Sequence, residues 1–233
     1  MRGKSPISVT LSPTADGDSG AAAGMWIRDS TAGLGTVTYF DESNHSFGAL
    51  GHGICDRDTG MLMPLDCGET VKAEITSITK AQKGVAGGLN GCISDENIGT
   101  LTVNSGCGVF GRYEIAPESK EIECALDDDI RLGEAAIYST IDEGEPQIYK
   151  AQVEQLNLGD ESGRSMMIRV TDDRLTEKTG GIVQGMSGSP IIQNGRLIGA
   201  VTHVFVNDPS RGYGIAIGNM LSCYEKYGAG IPQ

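Results

Sequence analysis

The 233-residue chain is poor in basic residues, with 18 Lys and Arg against 31 Asp and Glu and a net charge of −13. Phosphate backbones and anionic membrane surfaces repel such a charge, so no nucleic-acid partner is expected. The chain also lacks any apolar run approaching roughly 18 residues, and its first residues lead into no apolar signal region. We therefore predict neither a membrane span nor a signal peptide, and expect the chain as given to be soluble.

Metal-binding patterns are absent too. The six cysteines form no CxxC pair and no Cys/His cluster with zinc spacing, so no metal and no cofactor is expected. The pattern favours free thiols that are mostly buried, and the formation of one or two disulfides is the alternative if the compartment is oxidising.

Glycine is abundant, and this disfavours long helices. The chain has 34 glycines, about twice the usual share, and each costs about 1 kcal/mol relative to alanine inside a helix. No Gly-X-Y period exists, and a hydrophobic fraction of 39% with 21% charged residues is that of a globular core. The glycines are therefore predicted to be turn residues.

Short alternating or β-branched segments recur between glycines and predict an all-β fold of barrels or a sandwich. Asn194-Gly195 predicts a type I′ hairpin between the last two segments. One helix is predicted at 216–227, ended by Gly228, and Asp127–Asp129 is interpreted as a loop between two halves or an ordinary solvated turn. The predicted strands are 7–11, 35–40, 70–78, 99–103, 135–141, 147–156, 166–171, 190–193 and 196–206.

The segment Gly185-Met-Ser-Gly-Ser-Pro190 suggests a nucleophile. It places Ser187 between glycines in a tight turn, where the N–H groups of Gly185 and Ser187 can converge as an oxyanion hole. The motif is similar to that of trypsin-like enzymes, with two departures: Met186 replaces an activation Asp, and Ser189 is a rival hydroxyl. Taken alone, the hexapeptide is also compatible with an ordinary turn in a glycine-rich chain.

Only three histidines can serve as the base that a serine nucleophile needs. His52, in Gly48-Ala-Leu-Gly-His-Gly53, precedes the serine as the chymotrypsin fold requires. His45 lies in a polar turn and is interpreted as a surface residue. His203 lies on the strand after the nucleophile, which lines the substrate channel in trypsin-like folds, so it is interpreted as a pocket-wall or packing residue. Thr202, His203 and Val204 are predicted to form one wall of the substrate pocket.

The acid that orients the histidine is least determined. Asp172 keeps the order His, Asp, Ser but lies in the second half of the chain, whereas trypsin-like enzymes carry this Asp in the first. Asp56 and Asp58, just after His52, are alternatives, and each of the three is also compatible with a solvated loop charge.

Several ordered blocks resemble the SpoIVB family of sporulation serine peptidases over about residues 7–221. The resemblance implies a chymotrypsin-like double β-barrel with a short C-terminal helix, one half at 1–120 and the other at 121–233. It implies His52 as general base, Asp172 as orienting acid and Ser187 as nucleophile. The blocks are Gly48 to Gly60, Val170-Thr-Asp172, Lys178 to Gly195 and Gly199 to Pro209.

The same resemblance implies a biological context. Peptidases of this type are secreted from the forespore into the space between its membranes. They process themselves and cut a membrane-bound regulator, so that a mother-cell sigma factor is activated. They carry an N-terminal membrane anchor and a PDZ domain, neither visible here, so the chain is expected to be an isolated peptidase domain that meets a membrane only through absent segments.

Two other classes compete with a serine endopeptidase. A non-catalytic β-barrel that binds a peptide as an added strand has no need for Ser187, His52 and Asp172 together. A small-molecule esterase of the α/β-hydrolase type needs a strand–serine–helix elbow, whereas a hairpin is predicted to follow Ser187.

Overall fold

The computed structural model describes residues 14–15, 21–22, 31–114, 120–142, 144–160 and 162–228. The chain divides into two units, Met1–Gly33 and Leu34–Gln233. In the first unit, β1 (Thr14–Ala15) pairs antiparallel with β2 (Ala21–Ala22). The strand predicted at 7–11 lies outside the described residues.

The second unit begins with an open five-stranded antiparallel sheet of order β3-β4-β7-β6-β5. Phe47 and Val109 pack on its inner face with Ala49 and Tyr113. The strands β5 and β6 form a long hairpin whose register shifts at three points. The strands are β3 (Val37–Asp41), β4 (Ser46–Ala49), β5 (Gly68–Thr79), β6 (Gly88–Ser105) and β7 (Gly108–Tyr113).

A closed six-stranded antiparallel barrel follows, of order β10-β13-β12-β11-β8-β9. Alternate residues of its strands point inward, so that Tyr149, Ala151 and Val153 of one strand are all buried. The strands are β8 (Gly133–Ser139), β9 (Gln147–Leu156), β10 (Met166–Val170), β11 (Pro190–Gln193), β12 (Arg196–Phe205) and β13 (Asp208–Ala216).

The predicted fold class is confirmed: the chain is mostly β, with one closed barrel, a second sheet that forms a half-barrel, and a C-terminal helix. Asn194 and Gly195 have φ of 51° and 77° and connect β11 to β12, with Gln193 opposite Arg196, as expected of a type I′ turn. Asp127–Asp129 forms a 3-10 turn between the sheet and the barrel. The division at residue 120 stays a prediction.

Two helices complete the described chain. The helix α2 (Ile217–Gly228) confirms the predicted C-terminal helix and buries Met220 and Cys223 in a cluster with residues of both the barrel and β7. The helix α1 (Asp173–Thr179) was not predicted, because seven residues are too few to show helical periodicity. Neither of these described helices is long and apolar enough to cross a membrane.

The cysteine environments correct one expectation. Only Cys107 and Cys223 are buried, whereas four of the six cysteines are exposed. The four exposed ones lie on loops and on strand faces that point to solvent: Cys55, Cys67, Cys92 and Cys124. The prediction that most of the thiols are buried is therefore wrong.

Candidate active site

Ser187 lies in a tight loop between α1 and β11. Gly185 and Gly188 on either side have φ of +98° and +89°, the left-handed region that favours glycine. A Cβ at Gly188 would lie 2.0 Å from the carbonyl oxygen of Thr36. The glycines of the motif are thus required by backbone conformation, and at Gly188 also by space.

The nucleophile loop is hydrogen-bonded both to the five-stranded sheet with the residue that precedes it, the first half of the second unit, and to the barrel. From the first half, Thr36 N donates to Ser187 O at 2.8 Å and Thr38 Oγ1 donates to Gly188 O at 2.8 Å. From the barrel, Val201 O accepts from Gly188 N at 2.8 Å. The position of Ser187 therefore depends on correct docking of the sheet on the barrel.

The backbone donors expected to form an oxyanion hole are available. Within the part of the chain that the structure describes, neither Gly185 N nor Ser187 N donates to a protein acceptor, whereas Met186 N between them donates to Val183 O at 3.1 Å. Both N–H groups are therefore available to an acceptor from outside the protein, as an oxyanion hole would require.

His52 reaches this loop from the end of β4. Leu50 and Gly51, with φ of 67° and 69°, turn the chain so that His52 Nε2 lies 3.0 Å from Ser187 Oγ. His52 Nδ1 lies 3.0 Å from the carbonyl oxygen of Gly53. Because a carbonyl only accepts, Nδ1 carries the proton and Nε2 presents its lone pair to the serine. This is the tautomer of a general base.

Asn104, near the end of β6, fixes the loop that follows His52. Its Oδ1 accepts from Ile54 N, and its Nδ2 donates to Ile54 O and Met63 O, each at 2.8 Å. One side chain thus closes the loop at both ends and holds the backbone next to Gly53, whose carbonyl sets the tautomer of His52.

Thr202 contributes its backbone to the site. Its carbonyl oxygen lies 3.0 Å from Ser187 Oγ, so the one hydroxyl proton has two acceptors, Thr202 O and His52 Nε2, and is donated to one of them at a time. The buried Oγ1 of Thr202 donates to Gly163 O at 2.6 Å. The pairing of β12 with β13 shifts register between Val201 and His203, a bulge that re-aims the strand beside the serine. The Thr202 side chain points into the protein, so it does not line a pocket as predicted.

The other two predicted pocket residues differ in environment. Val204 is half-buried and packs against the barrel core. The ring of His203 lies against that of His52, with centroids 4.9 Å apart. Burial and the neighbouring charges of His52 and Arg164 lower the pKa of His203 to about 4, so its ring is neutral at physiological pH. A substrate contact by either side chain stays a prediction.

The structure places Asp172, the expected orienting acid, at a helix terminus. Its carboxylate caps the N-terminus of α1 and accepts hydrogen bonds from Arg174 N, Arg174 Nε, Arg174 Nη2 and Lys150 N, all between 2.9 and 3.0 Å. It makes none to His52, whose Nδ1 lies on Gly53 O. The Arg174 guanidinium and these N–H donors hold the pKa of Asp172 well below its usual range. The structure thus pairs Asp172 with a helix terminus and an arginine instead of with the histidine.

The alternative acid Asp56 organises its own turn. Its Oδ1 accepts from Asp58 N at 3.1 Å and from both Thr59 N and Thr59 Oγ1 at 2.9 Å. Asp58, the second alternative, is exposed in the same turn. The nitrogen that either acid would have to engage is the one that faces Gly53 O.

Ser189 and His45 also have local explanations. Ser189 is fully buried and its Oγ lies 2.9 Å from Ser139 Oγ, so it is not presented to a substrate. His45 occupies a left-handed turn position with φ of 58°, and its ring stacks on Tyr113 at 5.7 Å between centroids. His45 takes no part in the site.

The structure thus brings together His52, Ser187, the N–H groups of the nucleophile loop and the Thr202 carbonyl. Sequence reasoning missed Thr36, Thr38, Asn104 and the Gly53 carbonyl. Three of these act at positions far from the nucleophile or the base in the chain, and backbone carbonyls carry no signal in residue type. A polar residue at the end of a strand, such as Asn104, is a weak signal only.

Comparison with protein families finds a match to the SpoIVB peptidase S55 family over residues 20–221. The chain belongs to this family. It is accordingly a serine protease. A comparison with curated proteins finds no match.

Among solved structures, the Rv3671c protease of M. tuberculosis matches in two forms. Its inactive form is 19% identical over 67% of this chain and 83% of that chain, with a TM-score of 0.41. Its active form is 17% identical over 90% of this chain and 97% of that chain, with a TM-score of 0.42.

Proposed function

We propose that this SpoIVB-family protein hydrolyses peptide bonds through an acyl-enzyme on Ser187. His52 Nε2 takes the hydroxyl proton as Ser187 Oγ bonds to the substrate carbonyl carbon, and the same proton then passes to the leaving amine as the peptide C–N bond breaks. Water, activated by the same nitrogen, releases the acyl group as a carboxylic acid. The 3.0 Å separation of Ser187 Oγ and His52 Nε2 is the observation that carries the proposal.

The N–H groups of Gly185 and Ser187 stabilise the oxyanion. They are free of protein acceptors among the described residues, so they are available without any competing bond being broken. Loss of one oxyanion-hole donor in a serine protease typically lowers kcat by about 10²–10³, and we assign a contribution of that order to each of the two groups.

Gly53 O serves as the partner of the His52 imidazole in place of a carboxylate. It holds the productive tautomer, and it accepts from the imidazolium that forms during the reaction. A neutral carbonyl stabilises that cation less than a carboxylate does, because it carries only a partial charge. The catalytic unit we propose is thus a Ser187–His52 pair supported by backbone.

The substrates we propose are proteins, and they follow from the family. They are the chain itself, by self-cleavage, and a membrane-anchored regulatory protein whose cleavage leads to activation of a mother-cell sigma factor. The proposed location is the space between the forespore membranes. Family membership supports each of these points.

A fluorophosphonate probe tests the nucleophile. The purified protein is incubated with the probe, and the adduct is located by mass spectrometry after digestion. We expect one adduct, on Ser187, that is lost in Ser187→Ala and His52→Ala and retained in Ser189→Ala, since the Ser189 hydroxyl is buried. No label on the folded wild-type protein, together with retained peptide binding, would instead identify a binding module.

A further inference from the structure

The ring of His203 lies against that of the proposed general base, His52, and the mechanism above leaves it unused. His203 lies on β12 directly after Thr202, whose carbonyl accepts from Ser187 Oγ. We infer that His203 is a positioning residue for His52: its ring packs on the His52 imidazole and keeps Nε2 aimed at Ser187. The inference rests on the proposed function and assigns a role that packing, instead of hydrogen bonding, performs.

Ring packing is the first observation. The centroids of His52 and His203 are 4.9 Å apart with the planes inclined by 40°, which is a contact distance for two aromatic rings. The register of β12 against β13 shifts between Val201 and His203, at the residue whose carbonyl lies 3.0 Å from Ser187 Oγ. The strand whose carbonyl accepts from the serine hydroxyl thus also supports the base.

The second observation concerns the His203 nitrogens. Nδ1 is buried and has no hydrogen-bond partner among the described residues. The charged groups that act on the ring are His52 and Arg164, and both disfavour its protonation, as does burial. A ring that is neutral and makes no internal hydrogen bond through Nδ1 acts on the neighbouring His52 ring by van der Waals contact. A protonated ring would instead repel the imidazolium that His52 forms during the reaction.

The third observation explains why His52 needs such support. Its Nδ1 contact is to Gly53 O, the carbonyl of the next residue in the chain, and Asp172 is engaged elsewhere. A contact to an adjacent residue moves with the histidine backbone, so it sets the tautomer more strongly than the position of the ring. The neighbouring strand supplies the missing restraint from outside the loop.

Three His203 variants test this role, with His45→Ala as a control for the loss of a histidine outside the site. His203→Ala removes the ring, His203→Gln replaces it with a flexible polar chain, and His203→Phe keeps a ring of similar shape. Each is assayed for the thermal midpoint, for kcat and KM on a peptide, and for the second-order rate constant of fluorophosphonate labelling. The labelling probe is too small to need peptide contacts, so it reports on Ser187 and His52 alone.

We expect His203→Ala and His203→Gln to lower kcat and the labelling rate constant together, by about 10- to 100-fold, the effect of a small misplacement of a catalytic group. KM should change less than about threefold, because uniform substrate binding is left intact, and His203→Phe should recover most of the lost rate. Because two variants lack the ring, the test can still be made with one of them if the other is unstable.

Several results would overturn the inference. One is labelling of His203→Ala at the wild-type rate. Another is a rise in KM with unchanged kcat, which would make His203 a substrate contact. A third is a folded His203→Phe as slow as His203→Ala, which would assign the effect to a nitrogen. Failure of the proposed function is distinguishable, because it would already appear as absence of label on wild-type Ser187.

Discussion

Replacement of Asp172 by alanine separates a helix cap from a catalytic acid. The side chain is 5% exposed and accepts four hydrogen bonds from Arg174 and Lys150. Loss of an N-cap costs about 0.5–2 kcal/mol, and leaving the Lys150 N–H without its acceptor costs about 1–3 kcal/mol. We therefore expect Asp172→Ala to lower the free energy of unfolding by about 2–4 kcal/mol, which at about 2–4 °C per kcal/mol lowers Tm by about 5–15 °C.

The assay pairs urea unfolding with fluorophosphonate labelling at a temperature where the variant is folded. If Asp172 is a cap, Ser187 in folded Asp172→Ala should be labelled within about fivefold of the wild-type rate, since α1 contacts neither Ser187 nor His52 through this side chain. Asp172→Asn should be milder still, because asparagine caps helices as well as aspartate does.

Arg174→Ala is the matched control. The Arg174 side chain is 62% exposed, so solvent screens its ion pair and its loss should lower the free energy of unfolding much less than Asp172→Ala does. The double variant should cost less than the sum of the two single variants, as expected of contacting residues. The reasoning is refuted if Asp172→Asn unfolds like the wild type but is labelled about 10⁴-fold more slowly, the effect of a lost orienting acid.

Three further predictions concern the loop, the base and pH. Gly188→Ala should abolish labelling and strongly destabilise the protein, because its Cβ would meet Thr36 O at 2.0 Å. The control Gly195→Ala has nothing within 4 Å of its Cβ and should cost only about 1–2 kcal/mol for its left-handed conformation. Equal unfolding midpoints of the two variants would contradict this. Asn104→Ala should slow labelling at least about tenfold, since the loop after His52 loses three hydrogen bonds, while Asn90→Ala, exposed on the same strand, should not. The pKa of His203 is lowered to about 4 in the folded protein, against about 6.5 unfolded, so the unfolded chain binds more protons in that window and stability falls as pH drops from about 6.5 to 4. Urea unfolding at pH 7 and pH 5 should show that the free energy of unfolding of the wild type falls by about 1–2 kcal/mol more than that of His203→Phe. Equal losses in the two proteins would refute this prediction.

Local patterns predicted much of the fold. Alternation of apolar residues predicted five of the six barrel strands to within two residues, as in Gln147–Leu156, but it missed β13 in the barrel and β4 and β7 in the sheet. Asn194-Gly195 predicted its hairpin because the turn conformation is a property of those two residues. The helix α1 was not predicted because its stability comes from the cap at Asp172 and from packing of the helix on the rest of the protein, and neither produces a periodic pattern in the sequence.

The site was predictable where residue type and backbone conformation coincide. Ser187 between left-handed glycines and His52 in a glycine-flanked turn are such cases, and the structure places them in contact. Asp172 shows the limit of that reasoning. An aspartate that caps a helix and an aspartate that orients a histidine are the same residue type in a sequence. Only the hydrogen-bond donors around the carboxylate in the folded protein distinguish the two roles.

The acceptor of the Ser187 hydroxyl has a consequence for the timing of activity during synthesis. His52 precedes Ser187 by 135 positions, and the Thr202 carbonyl that accepts from Ser187 follows it by 15. A ribosome that has just added Ser187 has still to make β12, which also anchors Gly188. We therefore expect the nascent chain to carry both reactive residues before it can hold them in register, and to gain activity only once β12 and β13 have been made.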